Sequence, residues 1–260
     1  MKYPFILRAL GVGALVSLCA ATLGVVLALK HYALIGHGLS EVAFASFSLA
    51  VALGLPPLLF SAPMVILASF AILYVSQTRR VGGDIAIAVA GSAALAVGAI
   101  ATAFSGGANA DTYGYLFGSI LAVTENDAAL SAVLSAAVLG TFALFYNRLL
   151  IMTYSEDYAR SLGLNIPFCH ALLSILTALT VVLGMRIMGT LLISSVIILP
   201  AVIARRFAHS FRALIIASAL TSLICFFIGF AVSLIWDLPT GACIVGVSIL
   251  VLFLAIAVTK

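Results

Sequence analysis

The sequence predicts an all-α membrane protein with eight or nine transmembrane helices. Of its 260 residues, 65% are hydrophobic and only 8% are charged, whereas a soluble domain carries about 25% charged residues. Several apolar runs reach the length of about 20 residues that a helix needs to cross the hydrocarbon core. These runs lack the alternation of a membrane β-barrel strand, so helices are the spanning element that fits.

Nine apolar segments account for most of the chain. The first follows a basic start, but it is too long for a signal peptide and no cleavage site follows it, so we predict a retained span. The seventh is short and contains Pro200 near its end, which suggests a broken or incompletely spanning helix. The segments are residues 9–29, 33–55, 57–76, 85–104, 128–146, 168–185, 188–204, 212–235 and 240–258.

These segments form a single transmembrane domain over residues 1–260, without a linker or a soluble domain. The sequence contains no nucleotide-binding P-loop, so ATP-driven transport would need an ATPase on another chain. The four cysteines show no paired spacing and are predicted to pack in the core. Small residues such as those from Gly91 to Ala94 are expected to allow close helix packing.

Basic residues orient the chain in the membrane. Nine of the twelve Lys and Arg residues fall on one side if all nine segments cross, and that side is therefore cytoplasmic. Lys2 and Arg8 would then lie outside, and an eight-span chain with a cytoplasmic N-terminus remains the alternative. The net charge of +4 follows from these loops and does not indicate nucleic-acid binding. The nine residues are Lys30, Arg79, Arg80, Arg148, Arg160, Arg205, Arg206, Arg212 and Lys260.

His37 and Glu41 form an ionisable pair near the start of the second segment, in the stretch ALIGHGLSEVA. At four residues' spacing both side chains face the same way on a helix, about 6 Å apart along its axis. Imidazole nitrogen and carboxylate oxygen suit a borderline divalent cation such as zinc or manganese. The alternative is that both groups lie among lipid headgroups or bond only to each other.

Residues 154–165, which we call the coupling segment, are the most polar stretch of the chain. Ser155 is a good N-cap, Glu156 and Asp157 suit a first helical turn, and Gly163 is a plausible C-cap. A short amphipathic helix on the cytoplasmic surface is predicted, either as a docking site for a partner subunit or as an ordinary connection.

Two further features are less specific. Ser194 and Ser195 precede Pro200 inside an apolar run, where freed carbonyls and hydroxyls could line a pathway, or the proline could simply kink a helix. His31, His170 and His209 lie close to span ends, and the sequence assigns them no role.

Taken in order, these landmarks resemble the membrane permease of bacterial ABC importers for zinc and manganese. The stretches that carry the resemblance are residues 23–36, 155–165, 189–208 and 236–245, the last reading WDLPTGACIV. The family usually has an IGDALSHA-like stretch whose aspartate and histidine are its metal pair. Here His37 falls on the aspartate position and Glu41 on the histidine position, so the pair is kept in exchanged order.

The resemblance implies a homodimeric, type II importer-like permease in the bacterial cytoplasmic membrane, with the pathway at or near the dimer interface. An ABC ATPase subunit would supply ATP hydrolysis, and an extracytoplasmic binding protein would deliver the metal. The chain itself would catalyse no chemical step and hold no covalent cofactor. The residues implied for ATPase coupling are Ser155, Glu156, Asp157, Ala159, Arg160 and Gly163.

Two other functions remain open at this stage. One is an ABC permease for a larger ligand, such as a chelated metal or a cofactor. The other is a proton-coupled secondary transporter in which His37 and Glu41 relay protons.

Overall fold

The computed structural model describes residues 4–30, 32, 34–77, 83–104 and 125–258. Over these ranges the chain forms helices and no strand, as the sequence predicts. The helices are α1 (Pro4–Leu29), α2 (Ile35–Ala52), α3 (Pro57–Gln77), α4 (Gly83–Phe104), α5 (Glu125–Leu144), α6 (Tyr146–Tyr154), α7 (Glu156–Ser161), α8 (Ile166–Met188), α9 (Thr190–Ala204), α10 (Phe211–Trp236) and α11 (Thr240–Val258).

Each of the nine apolar segments contains a helix, but the helices are not equally long. Within the described ranges, α1, α2, α4, α8, α10 and α11 are long and apolar enough to cross a membrane. Helices α5 and α6 meet the criterion only together and are bent by 65° at their junction, which raises the total to seven if they form one span. The apolar parts of α3 and α9 are shorter, at Leu59–Ile72 and Leu192–Ala204.

The centre of the bundle is formed by α1, α2 and α8, whose most apolar stretches are 67–72% buried. The corresponding stretches of α4, α10 and α11 are only 28–33% buried, so these helices turn most of their apolar surface outward. Helix α9 packs against α1, α2, α8, α10 and α11, so it also lies inside despite its length. It runs without a break through Pro200, so the broken helix does not form, and its short apolar part fits the other predicted alternative, an incompletely spanning helix.

Helices α2 and α4 pack side by side in parallel. The residue numbers of the contacting pairs increase together along α2 and α4, so the two helices run in the same direction. Glycine on one or the other helix allows the close approach. In order, Gly38 meets Ile87, Glu41 meets Gly91, Phe44 meets Gly98, and Thr102 Oγ1 lies 3.2 Å from Ser48 Oγ.

Three of the loops used to orient the chain meet at one end of the bundle, which we call the basic end. Lys30 contacts Glu156 there, and Tyr154 and Arg205 line a common surface cavity. The turn at Met188 and the start of α11 at Gly241 meet at the opposite end. Lys2, Arg79, Arg80 and Lys260, which also entered the orientation, lie outside the described residues.

One close contact at the centre can be tested by adding a methyl group. A Cβ atom at Gly24 would lie 1.8 Å from the carbonyl oxygen of Ile197, which is backbone and cannot rotate away. Gly24→Ala should therefore separate α1 from α9 and lower the melting temperature of the purified protein, at a cost of about 1–3 kcal/mol.

Gly11→Ala is the matched control on the same helix, because no atom lies within 4 Å of a Cβ placed there. Its melting temperature should equal or slightly exceed that of the wild type, since alanine favours helix. Equal melting temperatures for both variants would contradict the close packing of α1 on α9.

Candidate metal site and coupling segment

The structure brings His37 and Glu41 together in the first turns of α2. His37 Nε2 lies 3.5 Å from Glu41 Oε1, which is too long for a strong hydrogen bond. Two ligand atoms bound tetrahedrally at about 2.1 Å from one metal ion are about 3.4 Å apart. The observed separation therefore leaves room for a shared metal ion without a change of backbone.

The depth of the pair follows from its neighbours. Gly24 and Gly36 both contact the turn of α9 around Ile197, so they lie at a similar depth. Gly24 precedes Lys30 by six residues, or about 9 Å of helix. Helix α2 therefore begins well inside the basic end, and Glu41 lies about 16 Å from the level of Lys30. That distance is about half the thickness of a hydrocarbon core of about 30 Å.

Gly91 on α4 makes room for the Glu41 carboxylate. A Cβ atom at Gly91 would lie 1.8 Å from Glu41 Oε2, so no other residue type fits there with the carboxylate in place. The glutamate side chain is 17% exposed, whereas that of His37 is 53% exposed. The sequence marks Gly91 only as a packing residue, and its link to Glu41 appears only when α2 and α4 are paired.

His37 and Glu41 stand as a pair of possible metal ligands, not as part of a larger cluster, among the described residues. Within the part of the chain that the structure describes, no three His, Cys, Asp or Glu residues are grouped to hold a metal. Ser40 donates a hydrogen bond of 2.7 Å to the carbonyl oxygen of His37, which stiffens the turn that carries the imidazole. The chain thus presents two candidate ligands on one helical turn.

The three predicted pathway residues lie on α9, which passes beside the start of α2. Ser194 is buried and its Cα atom lies 3.8 Å from a Cβ placed at Gly36, the residue before His37. Ser195 is half-buried and Pro200 is buried. Ser194 is thus the member of this group that lies close to the candidate site.

The predicted short helix in the coupling segment is confirmed as α7. Ser155 Oγ accepts a hydrogen bond of 3.2 Å from the backbone of Tyr158, as an N-cap does. Gly163 has a φ of +75°, and the bond from Leu164 N to Ala159 O closes the helix end.

The remaining coupling residues point in different directions. Asp157 and Arg160 are exposed at the surface of the basic end, whereas Ala159 is completely buried. Glu156 turns towards the bundle, where it contacts Lys30 and His170. Burial acts to raise the pKa of Glu156, but the ammonium of Lys30 and the imidazole of His170 outweigh it, so the pKa lies below its usual range.

The contact of Glu156 with Lys30 and His170 is a feature that sequence reasoning missed. Lys30 and Glu156 are 126 residues apart, and no spacing rule relates them. The sequence gives only a general signal here: an acidic residue such as Glu156, in a region rich in basic loop residues, is expected to find a basic partner. Of the other two histidines without a role, His209 lines the cavity at the basic end and His31 lies outside the described residues.

Comparison with known proteins decides the family. The model of the ABC 3 transport family matches residues 2–259, nearly the whole chain. The chain belongs to the ABC 3 transport family. It is a multi-pass integral protein of the bacterial inner membrane, and the family predicted from the sequence landmarks is confirmed.

Its relatives include proteins named for two metals. The manganese transport system membrane protein MntC of Listeria monocytogenes is 28% identical over 255 residues, covering 98% of this chain and 91% of that protein. The high-affinity zinc uptake system membrane protein ZnuB of Haemophilus influenzae is 28% identical over 243 residues, covering 94% and 93%.

Solved structures agree with the fold. PsaBC from Streptococcus pneumoniae, solved in complex with Fab, matches with a TM-score of 0.87 and 28% identity, covering 98% of this chain and 91% of that one. An inward-facing structure of a putative metal-chelate type ABC transporter has a TM-score of 0.71 at 15% identity, covering 99% of this chain and 86% of that one, and it shares the fold alone.

The contact between Gly91 and Glu41 leads to a test of the site. Gly91→Ala should displace the Glu41 carboxylate, because a flexible side chain moves more readily than two packed helices. We expect the purified variant to bind manganese and zinc at least tenfold more weakly than the wild type, with a nearly unchanged melting temperature.

Ser92→Ala is the control on the same helix, because Ser92 is exposed and lies one residue further on. It should bind both metals as the wild type does. Unchanged metal binding in Gly91→Ala would show that the position of the Glu41 carboxylate is irrelevant to the ion.

Proposed function

We propose that this chain is the membrane permease of an ATP-driven importer for a divalent metal ion, zinc or manganese. The observation that carries the proposal is the His37–Glu41 pair, whose side-chain atoms lie 3.5 Å apart in the first turns of a helix that begins inside the basic end. Ionisable residues within membrane helices are costly and indicate a functional site by default. Membership of a family with relatives named for manganese and zinc transport supports the metal as its cargo.

The two side chains have different tasks in this proposal. Glu41 supplies negative charge that compensates the cation in a poorly hydrated site. Neutral His37 supplies a nitrogen ligand that favours zinc and manganese over a hard cation such as calcium. Two ligands from one chain leave coordination positions for water or other groups, so the ion is held weakly enough to be released.

A homodimer would complete the pathway. The exposed side of His37 faces away from the protomer's own core, which supports a pathway at or near the interface between two copies. We also propose that eight or nine segments cross the membrane, with α3, α9 and the bent α5–α6 pair contributing together with the six long helices.

Partner subunits supply the energy and the substrate. An ABC ATPase would dock on the coupling segment at the basic end, where Asp157 and Arg160 are exposed. An extracytoplasmic binding protein would release its metal ion into the pathway at the other end. ATP binding and hydrolysis would take place on the ATPase, and this chain would change conformation without catalysing a chemical step.

The direct test compares uptake of radioactive zinc and manganese by cells with the intact system and by cells carrying Glu41→Ala. We expect one metal to accumulate in the wild type and at least a tenfold loss in the variant, because the cation loses its charge compensation. Membrane insertion and association with the ATPase should be unchanged.

Three results would contradict the proposal. Normal uptake in Glu41→Ala would remove the pair from the transport pathway. Accumulation of neither metal by the wild type would indicate a different cargo, and uptake that follows the proton gradient without ATP would indicate a secondary transporter.

Variants of both positions test how the ligands select the metal. His37→Asp creates two carboxylates and should shift uptake towards manganese, whereas Glu41→His creates two imidazoles and should shift it towards zinc. The double variant keeps one imidazole and one carboxylate and should stay closer to the wild-type ratio than either single variant. The readout is the ratio of zinc to manganese uptake measured in parallel. A ratio that is the same in all four proteins would contradict ligand-based selection.

A further inference from the structure

A group of three side chains, the buried Lys30 and His170 and the 40% exposed Glu156, connects the coupling segment to the turn before the helix that carries the candidate site. Lys30 Nζ forms an ion pair with Glu156 Oε1, and His170 Nε2 lies 3.2 Å from the same oxygen. The side chains of Lys30 and His170 are only 9% and 4% exposed. The group therefore joins the end of α1, the first residue of α7 and the first turns of α8.

The burial of Lys30 makes this contact hard to replace. An ammonium group removed from water is strongly destabilised unless an opposite charge remains beside it. Lys30 cannot turn into solvent without giving up its packed position, so Glu156 and Lys30 are held as a pair. Where Glu156 moves, the end of α1 is constrained to follow.

The turn after Lys30 leads directly to the candidate site. Only four residues separate Lys30 from Ile35, where α2 begins, and His37 follows in the first turn of α2. Tyr32 lies within this turn, and its ring packs edge-on against the ring of His170 with centroids 6.4 Å apart. The turn is thus restrained at Lys30 by the ion pair with Glu156 of α7, and at Tyr32 by the ring contact with His170 of α8.

The rest of α7 is poorly anchored by comparison. It has six residues, and of these Ala159 is the one that is fully packed. Asp157, Tyr158 and Arg160 face outward. A force applied to α7 from the surface therefore reaches the bundle through Glu156 and Ala159, as well as through the chain connections at the two ends of α7.

We propose that Lys30 and His170 are positioning residues that transmit movement of the coupling segment to α2 and its His37–Glu41 pair. This inference rests on the proposed function, because it assumes that an ATPase acts on the coupling segment. Through the Lys30–Glu156 pair, displacement of α7 pulls on the turn before α2. His170 holds Glu156 in place from the side and packs edge-on against Tyr32 in that turn.

The test measures the transport ratio, which is the number of metal ions transported per ATP hydrolysed. The permease is reconstituted into liposomes with its ATPase. Glu156→Gln preserves the shape of the side chain and removes the charge. It should lower the transport ratio at least threefold while manganese and zinc binding at the His37–Glu41 pair stays as in the wild type. An unchanged transport ratio in this variant would overturn the inference.

Charge reversal adds a rescue experiment. Lys30→Glu and Glu156→Lys should each lower the transport ratio at least tenfold, and the double variant should restore at least a third of the wild-type value. Lys30→Glu combined with Ser161→Lys is the matched control, because Ser161 is exposed on the same helix and is not among the residues implied for ATPase coupling, and it should give no rescue. Equal rescue by both combinations, or by neither, would overturn the inference.

His170 is tested by a conservative pair of variants. His170→Ala should lower the transport ratio, whereas His170→Gln should keep most of it, because the glutamine amide can donate to Glu156 as the imidazole does. Equal ratios in the two variants would remove His170 from the proposal.

The failure of this inference can be told apart from failure of the proposed function. If the wild-type complex moves neither zinc nor manganese, the proposed function is wrong. If the wild type transports metal, Glu41→Ala abolishes transport, and the variants of Lys30, Glu156 and His170 remain coupled, only the transmission route is wrong.

Discussion

The cost of placing a carboxylate between apolar membrane helices is the constraint on which the rest of this structure depends. The Glu41 side chain is only 17% exposed, so its charge must be compensated by a neighbour or by a bound cation. The imidazole of His37, 3.5 Å away, compensates only when it is protonated. A divalent cation between the two side chains would compensate the charge and use both groups as ligands, the imidazole in its unprotonated form.

Helix packing adapts to this pair. Gly91 on α4 leaves the space that the Glu41 carboxylate occupies, and α9 packs against the start of α2 at Gly36. Helix α2 begins about 9 Å inside the level of Lys30 at the basic end, so its first turns are recessed from that end. A start at the membrane surface would have placed His37 near water, where an ionisable group needs no functional explanation.

The recessed start of α2 also explains how two distant regions are connected. The coupling segment lies at the basic end and the candidate site is recessed from that end, but the turn after Lys30 covers the distance in a few residues. Glu156 reaches this turn through its ion pair with Lys30. The connection between the coupling segment and the candidate metal ligands is therefore short. It passes through an ion pair whose separation costs free energy.

Local patterns of the sequence were sufficient for the helical membrane fold, the caps of α7 and the pairing of His37 with Glu41. Each of these depends on residues within one helix or one turn, where apolar length, capping chemistry and four-residue spacing act directly. Only the tertiary structure decided the depth of the pair, the role of Gly91, the continuity of α9 through Pro200 and the partners of Glu156. These features arise from contacts between helices far apart in the chain, because apolar helices of similar composition can pack in many arrangements and no local pattern selects one of them.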